Sequence, residues 1–117
     1  PEGTRTPDGT VKSFKSGVAI LLKRADSIVI PIGIDGAFDV WPRSRSWPRW
    51  RRAIECEAGD PITSAELLAD GVPAAMERLE REIDVLRLRC RARLRARFGP
   101  GYPAAGPGDQ SRSEPVP

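Results

Sequence analysis

The first five residues, PEGTR, combine side chains that could hold a phosphate ester. Gly3 allows the backbone to turn tightly after Pro1, and Thr4 offers both a hydroxyl and an N–H. Arg5 carries a planar guanidinium whose parallel N–H donors match two phosphate oxygens. Glu2 could orient Arg5 or accept a hydrogen bond from a substrate hydroxyl. For an isolated pentapeptide, a surface turn with a Glu–Arg pair is the commoner explanation, because short motifs often match by chance.

Two further stretches follow PEGTR: FKSG at residues 14–17 and IVIPIGI at residues 28–34. In this order and spacing, the three stretches resemble the glycerolipid acyltransferases of the 1-acylglycerol-3-phosphate acyltransferase family, from Pro1 to about Leu68. The family's third signature block is PEGTRS, and its fourth is an apolar strand around a proline. Thr6 stands where the family usually has serine. The matching residues are Glu2, Gly3, Thr4 and Arg5 in the third block, Phe14, Lys15 and Gly17 after it, and Ile30, Pro31 and Ile32 in the fourth.

The resemblance implies a function for both signature blocks. Residues 2–5 would bind the phosphate of the substrate, and residues 30–32 would line an acyl or substrate pocket. The reaction would move an acyl chain from a thioester donor to a hydroxyl of a lysophospholipid or glycerol phosphate. Acyl-coenzyme A or acyl-acyl carrier protein would be the co-substrate, and the resemblance implies no metal and no other cofactor.

The chain departs from the family in the signature blocks that it lacks. The family's first block, H-x-x-x-x-D, supplies a histidine general base, and its second block helps to hold the glycerol phosphate. This sequence contains no histidine and no second block. Both blocks precede the third one in the family, so we expect the chain to be the C-terminal fragment of an acyltransferase. The fragment by itself would then contain no catalytic residue and would be inactive.

The spacing of apolar residues predicts the elements that would position these motifs. A short helix is expected from Ser16 to about Ala25. The run IVIPIGI does not alternate, which predicts a central parallel strand with both faces buried. Pro31 cannot donate to a neighbouring strand, so it indicates an edge, a bulge or a position where something other than a strand approaches. The stretch AIECEA at residues 53–58 alternates, which predicts a strand whose glutamates face water.

The C-terminal part of the chain contains the longest predicted helix. Apolar residues recur every three or four positions between Pro73 and Phe98. Thr63 or Ser64 is expected to cap a shorter helix before it. Residues 99–117 are rich in Pro, Gly and Ser and contain no apolar run, which predicts disorder. The predicted fold is α/β: residues 1–72 form the C-terminal part of a mixed sheet flanked by helices, residues 73–98 an amphipathic helix, and residues 99–117 a disordered tail.

The arginines are concentrated in two acid-free stretches, WPRSRSWPRWRR at residues 41–52 and RLRCRARLRAR at residues 87–97. Either stretch could meet an anionic partner such as a phosphate ester, a lipid headgroup or a nucleic acid. Trp41, Trp47 and Trp50 favour an anionic membrane surface, since Trp prefers the headgroup level and Arg reaches the phosphates. Packing of Trp41 on the domain with solvated arginines explains the same residues. Base stacking with phosphate contacts would also give this composition, although the neighbouring motifs favour lipid over nucleic acid.

The remaining residues limit the other functions that the chain could have. Cys56 and Cys90 form no metal-binding pattern, and without histidine a zinc site has almost no ligands. Two reduced thiols fit a cytoplasmic chain, and a disulfide between them also fits the sequence. No apolar run approaches the roughly 20 residues of a membrane span. We therefore predict a phospholipid-metabolic acyltransferase that lies peripherally on the inner face of a membrane. The alternative is a non-catalytic basic module that binds another macromolecule or a nucleic acid.

Overall fold

The computed structural model describes residues 2–50 and 52–111 of the chain. It has an α/β fold with small antiparallel sheets and one long C-terminal helix. The first helix and the long helix both lie within one residue of their predicted ends. The elements are α1 (Ser16–Arg24), β1 (Ile28–Val29), β2 (Ile32–Asp35), α2 (Ala37–Val40), β3 (Glu55–Ala58), β4 (Ile62–Thr63), α3 (Ser64–Leu68), α4 (Val72–Phe98) and a 3₁₀ turn at Pro107–Asp109.

Local side-chain chemistry explains where the helices begin and end. Thr63 Oγ1 accepts a hydrogen bond from the Glu66 N–H at 3.2 Å, so Thr63 caps α3 as predicted. Pro73 lies in the first turn of α4, where its missing N–H would have had no helical partner. Gly99 ends α4 with a φ of 92°, a conformation that glycine adopts without strain.

Within the described residues, the strands form two short antiparallel pairs. β1 pairs with β4, and β2 pairs with β3, which places Ile34 opposite Cys56. Pro31 lies between β1 and β2, and its carbonyl accepts the Gly59 N–H at 2.8 Å. Pro31 therefore separates two short strands with different partners, where the sequence predicted one strand with irregular pairing at Pro31.

One face of the isoleucine run is open to solvent, so the prediction of a parallel strand buried on both faces is wrong. The alternate residues Gly33 and Asp35 are buried, because α4 packs against that face of β2. Burial therefore alternates along the run even though hydrophobicity does not. The outward residues are Ile28, Ile30, Ile32 and Ile34, with exposed fractions of 69%, 52%, 51% and 53%.

β3 is turned the opposite way from its predicted orientation. Glu55 and Glu57 are partly buried, whereas Cys56 and Ala58 are exposed. The reason lies in α4, where Arg93 donates to Glu55 from Nε at 3.1 Å and to Glu57 from Nη1 at 2.7 Å. Ion pairing with the helix thus overrides the apolar alternation of residues 53–58.

Gly33 allows α4 to lie directly against β2. A Cβ at this position would be 2.5 Å from both the Leu86 Cβ and the Arg87 backbone nitrogen. The Cys90 Sγ lies 3.7 Å from the Gly33 carbonyl, and Leu94 is fully buried one turn further along α4. A second core joins α1, β4, α3 and the first turns of α4, and its buried residues are Leu22, Ile62, Leu67, Ala75 and Leu79.

The prediction of a disordered tail is wrong for residues 99–111, which fold back along α4. Tyr102 is buried, and its hydroxyl donates to the Ala53 carbonyl at 2.6 Å. Its ring meets the Phe98 ring edge-on with centroids 5.8 Å apart. Composition was misleading because this segment is held mainly by polar contacts, which leave no apolar run in the sequence. The rest of the predicted tail, residues 112–117, lies outside the described residues.

Arginines on one side of α4 hold the folded tail. Arg87, Arg91 and Arg95, one turn apart, each donate to a backbone carbonyl of the tail, at 2.6, 2.8 and 3.0 Å. The carboxylate of Asp109 lies 2.7 Å from both Arg91 Nε and Arg95 Nη1. The hydrogen bonds from Arg95 and Arg91 hold the pKa of Asp109 well below its usual value.

Gly33→Ala should destabilise the fold by about 1–3 kcal/mol, because the added methyl meets the backbone of α4, which cannot move aside as a flexible side chain could. Gly17→Ala is the matched control, since a Cβ at Gly17 has no atom within 4 Å and alanine favours helix α1. Urea unfolding followed by circular dichroism measures both variants. Equal free energies of unfolding would contradict the close packing of α4 on β2.

Asp109→Asn should lower the free energy of unfolding by about 1 kcal/mol at neutral pH. The effect is small for a carboxylate with two arginine partners because the side chain of Asp109 is 34% exposed and solvent screens its charge. The folded-state pKa lies below the ordinary value of 3.8, so the carboxylate stabilises the fold above that pH and loses this contribution as the pH falls below it. Unfolding measured across acid pH should therefore show a flatter decline in the variant. Asp60→Asn, which removes an exposed carboxylate, is the control for a change of one charge. An unchanged slope in Asp109→Asn would show that this carboxylate does not hold the tail.

Candidate functional site

Asp8 holds together the tight turn that follows the PEGTR loop. Its Oδ1 accepts hydrogen bonds from the Thr10 hydroxyl at 2.7 Å and from the Thr10 N–H at 3.1 Å. Its Oδ2 pairs with Lys12 Nζ at 3.0 Å. These contacts with Thr10 and Lys12 keep the pKa of Asp8 well below its usual value. Gly9 completes the turn with a φ of 86°.

Glu2 and Gly3 have structural positions in the PEGTR loop. Glu2 Oε2 accepts the Lys12 N–H at 3.1 Å, and among the described residues no ion pair joins Glu2 to Arg5. Gly3 has a φ of 74°, which gives the tight turn expected from the sequence. A Cβ at Gly3 would lie 3.2 Å from both Cγ and Cε of Lys15, the residue before α1. The loop and the N-terminus of α1 therefore lie side by side.

A cavity of about 230 Å³ lies between this loop and β2. Because Ile32 and Asp35 both line it and point to opposite faces of β2, the cavity follows the edge of the strand. The turn after PEGTR contributes Thr6 and Thr10 to the lining, and their hydroxyls donate within the turn, to the Thr10 carbonyl at 2.9 Å and to Asp8 Oδ1 at 2.7 Å. The apolar part of the wall is completed by Val11, Phe14, Ile34, Phe38 and Ile83.

The structure brings some of the predicted site residues together and separates others. Glu2 and Thr4 of PEGTR line the same cavity as Ile32 of the proline-containing run. Ile30 is exposed on the open face of the sheet, and Pro31 is buried. Neither Ile30 nor Pro31 lines the cavity, so of the three residues predicted as one pocket only Ile32 contributes to it.

The charged wall of the cavity belongs to a buried ion-pair network. Asp35 is 6% exposed and lies 3.1 Å from Arg91 Nη1 and 3.6 Å from Arg87 Nη1. Arg87 also pairs with Asp84 at 2.8 Å. Burial raises the pKa of Asp35, and the charges of Arg91 and Arg87 oppose this rise without cancelling it. Asp35 therefore takes up a proton at a higher pH than Asp109 does.

Arg5 connects the PEGTR loop to the Trp/Arg loop, the acid-free stretch of residues 41–52. Its side chain is exposed, and the guanidinium carbon lies 5.6 Å from the centre of the Trp41 ring. This distance is that of a cation–π contact, which restrains the guanidinium without using its N–H donors. Trp41 is thus partly engaged with the domain, which is the arrangement that one of the three interpretations of the Trp cluster expected.

The second acid-free stretch is neutralised within the chain. Arg87, Arg91 and Arg95 face the tail and the buried aspartates, as described above. On another side of α4, Arg89, Arg93 and Arg97 pair with glutamates of β3 at 2.7–3.8 Å. All six arginines of residues 87–97 therefore have carboxylate partners within the fold.

Sequence reasoning did not identify most of the cavity wall. Phe38, Ile83 and Arg87 come from α2 and α4, far along the chain from PEGTR, and no spacing pattern links them to it. Arg87 was visible only as one of many arginines. These residues meet because α4 packs against β2, and that packing has no local signal in the sequence.

Comparisons with protein-family models, curated proteins and solved structures found no match to this chain. None of the described helices is long and apolar enough to cross a membrane. Within residues 2–50 and 52–111, no group of three or more Cys, Asp or Glu side chains could hold a metal ion. Cys56 and Cys90 are both free thiols. The functional assignment therefore depends on the chemistry of the loop and the cavity.

Asp8→Asn should loosen the turn beside the cavity, because the variant loses the ion pair with Lys12. The Thr10 amide should exchange its hydrogen about two- to fivefold faster, the effect of losing one largely exposed ion pair. In the wild type, the same loosening should appear as the pH falls below the ordinary value of 3.8, since the folded-state pKa of Asp8 is lowered. Amide hydrogen exchange measures both, with Asp26→Asn as an exposed control. Equal exchange of Thr10 in the two variants would contradict this role.

Proposed function

We propose that this chain carries the acceptor-binding part of a glycerolipid acyltransferase. The single observation that carries the proposal is that Glu2 and Thr4 of PEGTR line the same cavity as Ile32 of the proline-containing run. The two motifs are separate in the sequence, and only the family resemblance implied that they bind the same substrate. A shared cavity is the arrangement that such a substrate needs.

The cavity has the chemistry expected for an amphiphilic ligand. Thr4 of the loop is a polar lining residue, whereas Phe14, Ile32 and Ile34 supply an apolar wall. At about 230 Å³ it is smaller than the roughly 300–1,000 Å³ of a drug-sized pocket. This size suits the glycerol part of an acceptor and the start of its acyl chain, while the rest of the chain extends outside.

Groups that attract a phosphate lie around the PEGTR loop. Trp41 restrains the Arg5 guanidinium through its face and leaves the N–H donors at its edge for two phosphate oxygens. Lys15 lies against Gly3, and its ammonium adds a second positive charge near the loop. At the N-terminus of α1 the Glu80 carboxylate already accepts the Phe14 N–H at 2.8 Å, so the attraction for a phosphate depends on Arg5 and Lys15. These features support a phosphate site at the rim of the cavity.

In this proposal, the loop contributes to catalysis by positioning the acceptor. With the phosphate bound near Arg5, the acceptor hydroxyl would meet a histidine base, which must come from outside these 117 residues because they contain no histidine. The base removes the hydroxyl proton, the oxygen attacks the thioester carbonyl, and the donor thiol leaves. The described residues hold the acceptor at the cavity.

Arg5→Lys should weaken binding of a short-chain lysophosphatidate about tenfold to hundredfold, because lysine keeps the charge but loses the two-pronged geometry. A hydrogen bond to a charged group contributes about 1.5–3 kcal/mol, which corresponds to this range. Arg5→Ala should lose more. Isothermal titration calorimetry of the chain measures the dissociation constants.

Two controls make this measurement specific. Arg81→Gln removes an exposed charge from α4 and should bind like the wild type. The monoacylglycerol of the same chain length lacks the phosphate and should not distinguish the Arg5 variants. If wild type, Arg5→Lys and Arg5→Ala bind the lysophosphatidate equally, Arg5 is a structural turn residue and the assignment of this loop is wrong.

A further inference from the structure

We propose that the Trp/Arg loop docks the protein on an anionic lipid bilayer, with Trp47 and Trp50 in the headgroup region and the loop arginines on lipid phosphates. The structure of the loop supports the docking independently of the proposed function. Delivery of a lipid acceptor from the bilayer to the cavity, in contrast, rests on the proposed function.

Hydrogen bonds hold the Trp/Arg loop in a defined shape. The Arg49 N–H donates to the Val40 carbonyl at 2.7 Å and closes the loop at its base. Inside it, Trp41 Nε1 donates to the Arg45 carbonyl at 2.9 Å, and the Arg45 N–H donates to the Pro42 carbonyl at 3.0 Å. Because this part of the backbone is already ordered, docking would lose little conformational entropy.

Two large aromatic side chains project from this loop into solvent. Trp47 is 78% exposed and Trp50 is 85% exposed, whereas Trp41 is anchored at the base. Ile54, four residues after Trp50, is also half exposed. Clustered exposed apolar side chains mark interaction surfaces, and Trp in particular prefers the membrane–water interface.

The charges of the loop identify the partner as anionic. Arg43, Arg45 and Arg49 are exposed, and within the described part of the chain none of them forms an ion pair. Residues 40–54 contain no Asp or Glu, so no acid of this segment neutralises them. The arginines of α4, by contrast, are paired with carboxylates. Within the described residues, three exposed cations without an ion pair therefore lie on the same loop as the exposed Trp side chains.

The form of the surface favours a bilayer over a nucleic acid. Single-stranded nucleic acid is bound in a groove where aromatic rings act as platforms for successive bases. Trp47 and Trp50 are instead almost fully exposed side chains of a projecting loop, which can enter an interface but give no walled groove.

The loop is continuous with the cavity. Ala37 and Phe38 of α2 line the cavity, and the same short helix leads directly to Trp41. Docking of the loop would therefore bring one wall of the cavity to the level of the lipid headgroups. A lipid acceptor could then reach the cavity with little of its acyl chain exposed to water.

The test is binding of the full chain to vesicles of phosphatidylcholine alone and of phosphatidylcholine mixed with phosphatidylglycerol, measured by co-sedimentation. Neither vesicle contains lysophosphatidate, so the result is independent of the Arg5 experiment. We expect binding to the mixed vesicles only, weakened by salt. A double variant replaces the exposed aromatic side chains, by Trp47→Ser and Trp50→Ser. A triple variant removes the loop charges, by Arg43→Gln, Arg45→Gln and Arg49→Gln. A second triple variant, Lys23→Gln, Arg24→Gln and Arg81→Gln, is the control, because it changes the net charge by the same amount elsewhere on the protein.

Each cation near an anionic surface strengthens binding by about fivefold. The triple loop-arginine variant, which lacks three of them, should therefore bind the mixed vesicles roughly a hundredfold more weakly than the wild type. The control triple variant should lose much less, and the double Trp variant should lose about tenfold. Quenching by brominated lipids checks the geometry without relying on a variant. The brominated lipids should quench the Trp fluorescence of the wild type strongly. In the double Trp variant only Trp41 fluoresces, and its fluorescence should be quenched only weakly because Trp41 lies at the base of the loop.

Equal loss in the control and loop-arginine variants would overturn the proposal, because general charge would then explain the binding. Binding to oligouridine RNA through the loop, without binding to anionic vesicles, would overturn it in favour of a nucleic-acid surface. If vesicle binding behaves as expected while the Arg5 variants bind lysophosphatidate equally, the docking stands and the proposed function fails. If the Arg5 variants bind lysophosphatidate more weakly as expected while vesicle binding does not behave as expected, the proposed function stands and the docking is wrong.

Discussion

The buried carboxylate of Asp35 is the contact on which the rest of the structure depends. It ends β2, lies 3.1 Å from Arg91, and through that arginine is connected to Asp109 of the tail. A buried charge without a partner destabilises a fold by several kcal/mol, so strand, helix and tail must be in place together. Arg87 extends the same network to the cavity wall. The order of the C-terminal segment and the shape of the cavity are therefore coupled through one set of charges.

This network also explains the unusual polarity of the small β2–β3 sheet. Usually the apolar face of a sheet packs on its neighbouring helix and the polar face meets water. Here α4 brings arginines to the sheet, and the groups that meet them are the carboxylates of Asp35, Glu55 and Glu57. The isoleucines of the run point the other way. Gly33 completes the arrangement because its missing side chain lets the helix backbone come close enough for these pairs to form.

The two arginine-rich stretches are alike in composition, since both lack acidic residues, but they differ in whether their arginines have carboxylate partners within the fold. Residues 87–97 lie on a helix, where successive turns align Arg87, Arg91 and Arg95 with acceptors of the tail and place Arg89, Arg93 and Arg97 beside the glutamates of β3. Residues 41–52 contain no acid, and within the described residues Arg43, Arg45 and Arg49 are exposed without an ion pair, on the same loop as two exposed Trp side chains. Whether a basic stretch is structural or available to a partner was decided by the position of carboxylates distant in sequence.

The sequence by itself determined the local elements and the separate motifs. The 3.6-residue period predicted α1 and α4 to within a residue, Thr63 was one of two candidate caps, Pro31 was expected to disturb strand pairing, and Gly3 was expected at a tight turn. Each of these depends on backbone geometry or on bonds between neighbours in the chain, so local residue types suffice. What only the tertiary structure decided was which groups meet. The outward isoleucines, the inward glutamates of β3, the ordered tail and the cavity that joins Thr4 to Ile32 all follow from where α4 places its charged side chains. Long-range ion pairs leave no period in the sequence, and a polar segment held by buried arginines has the composition of a disordered one.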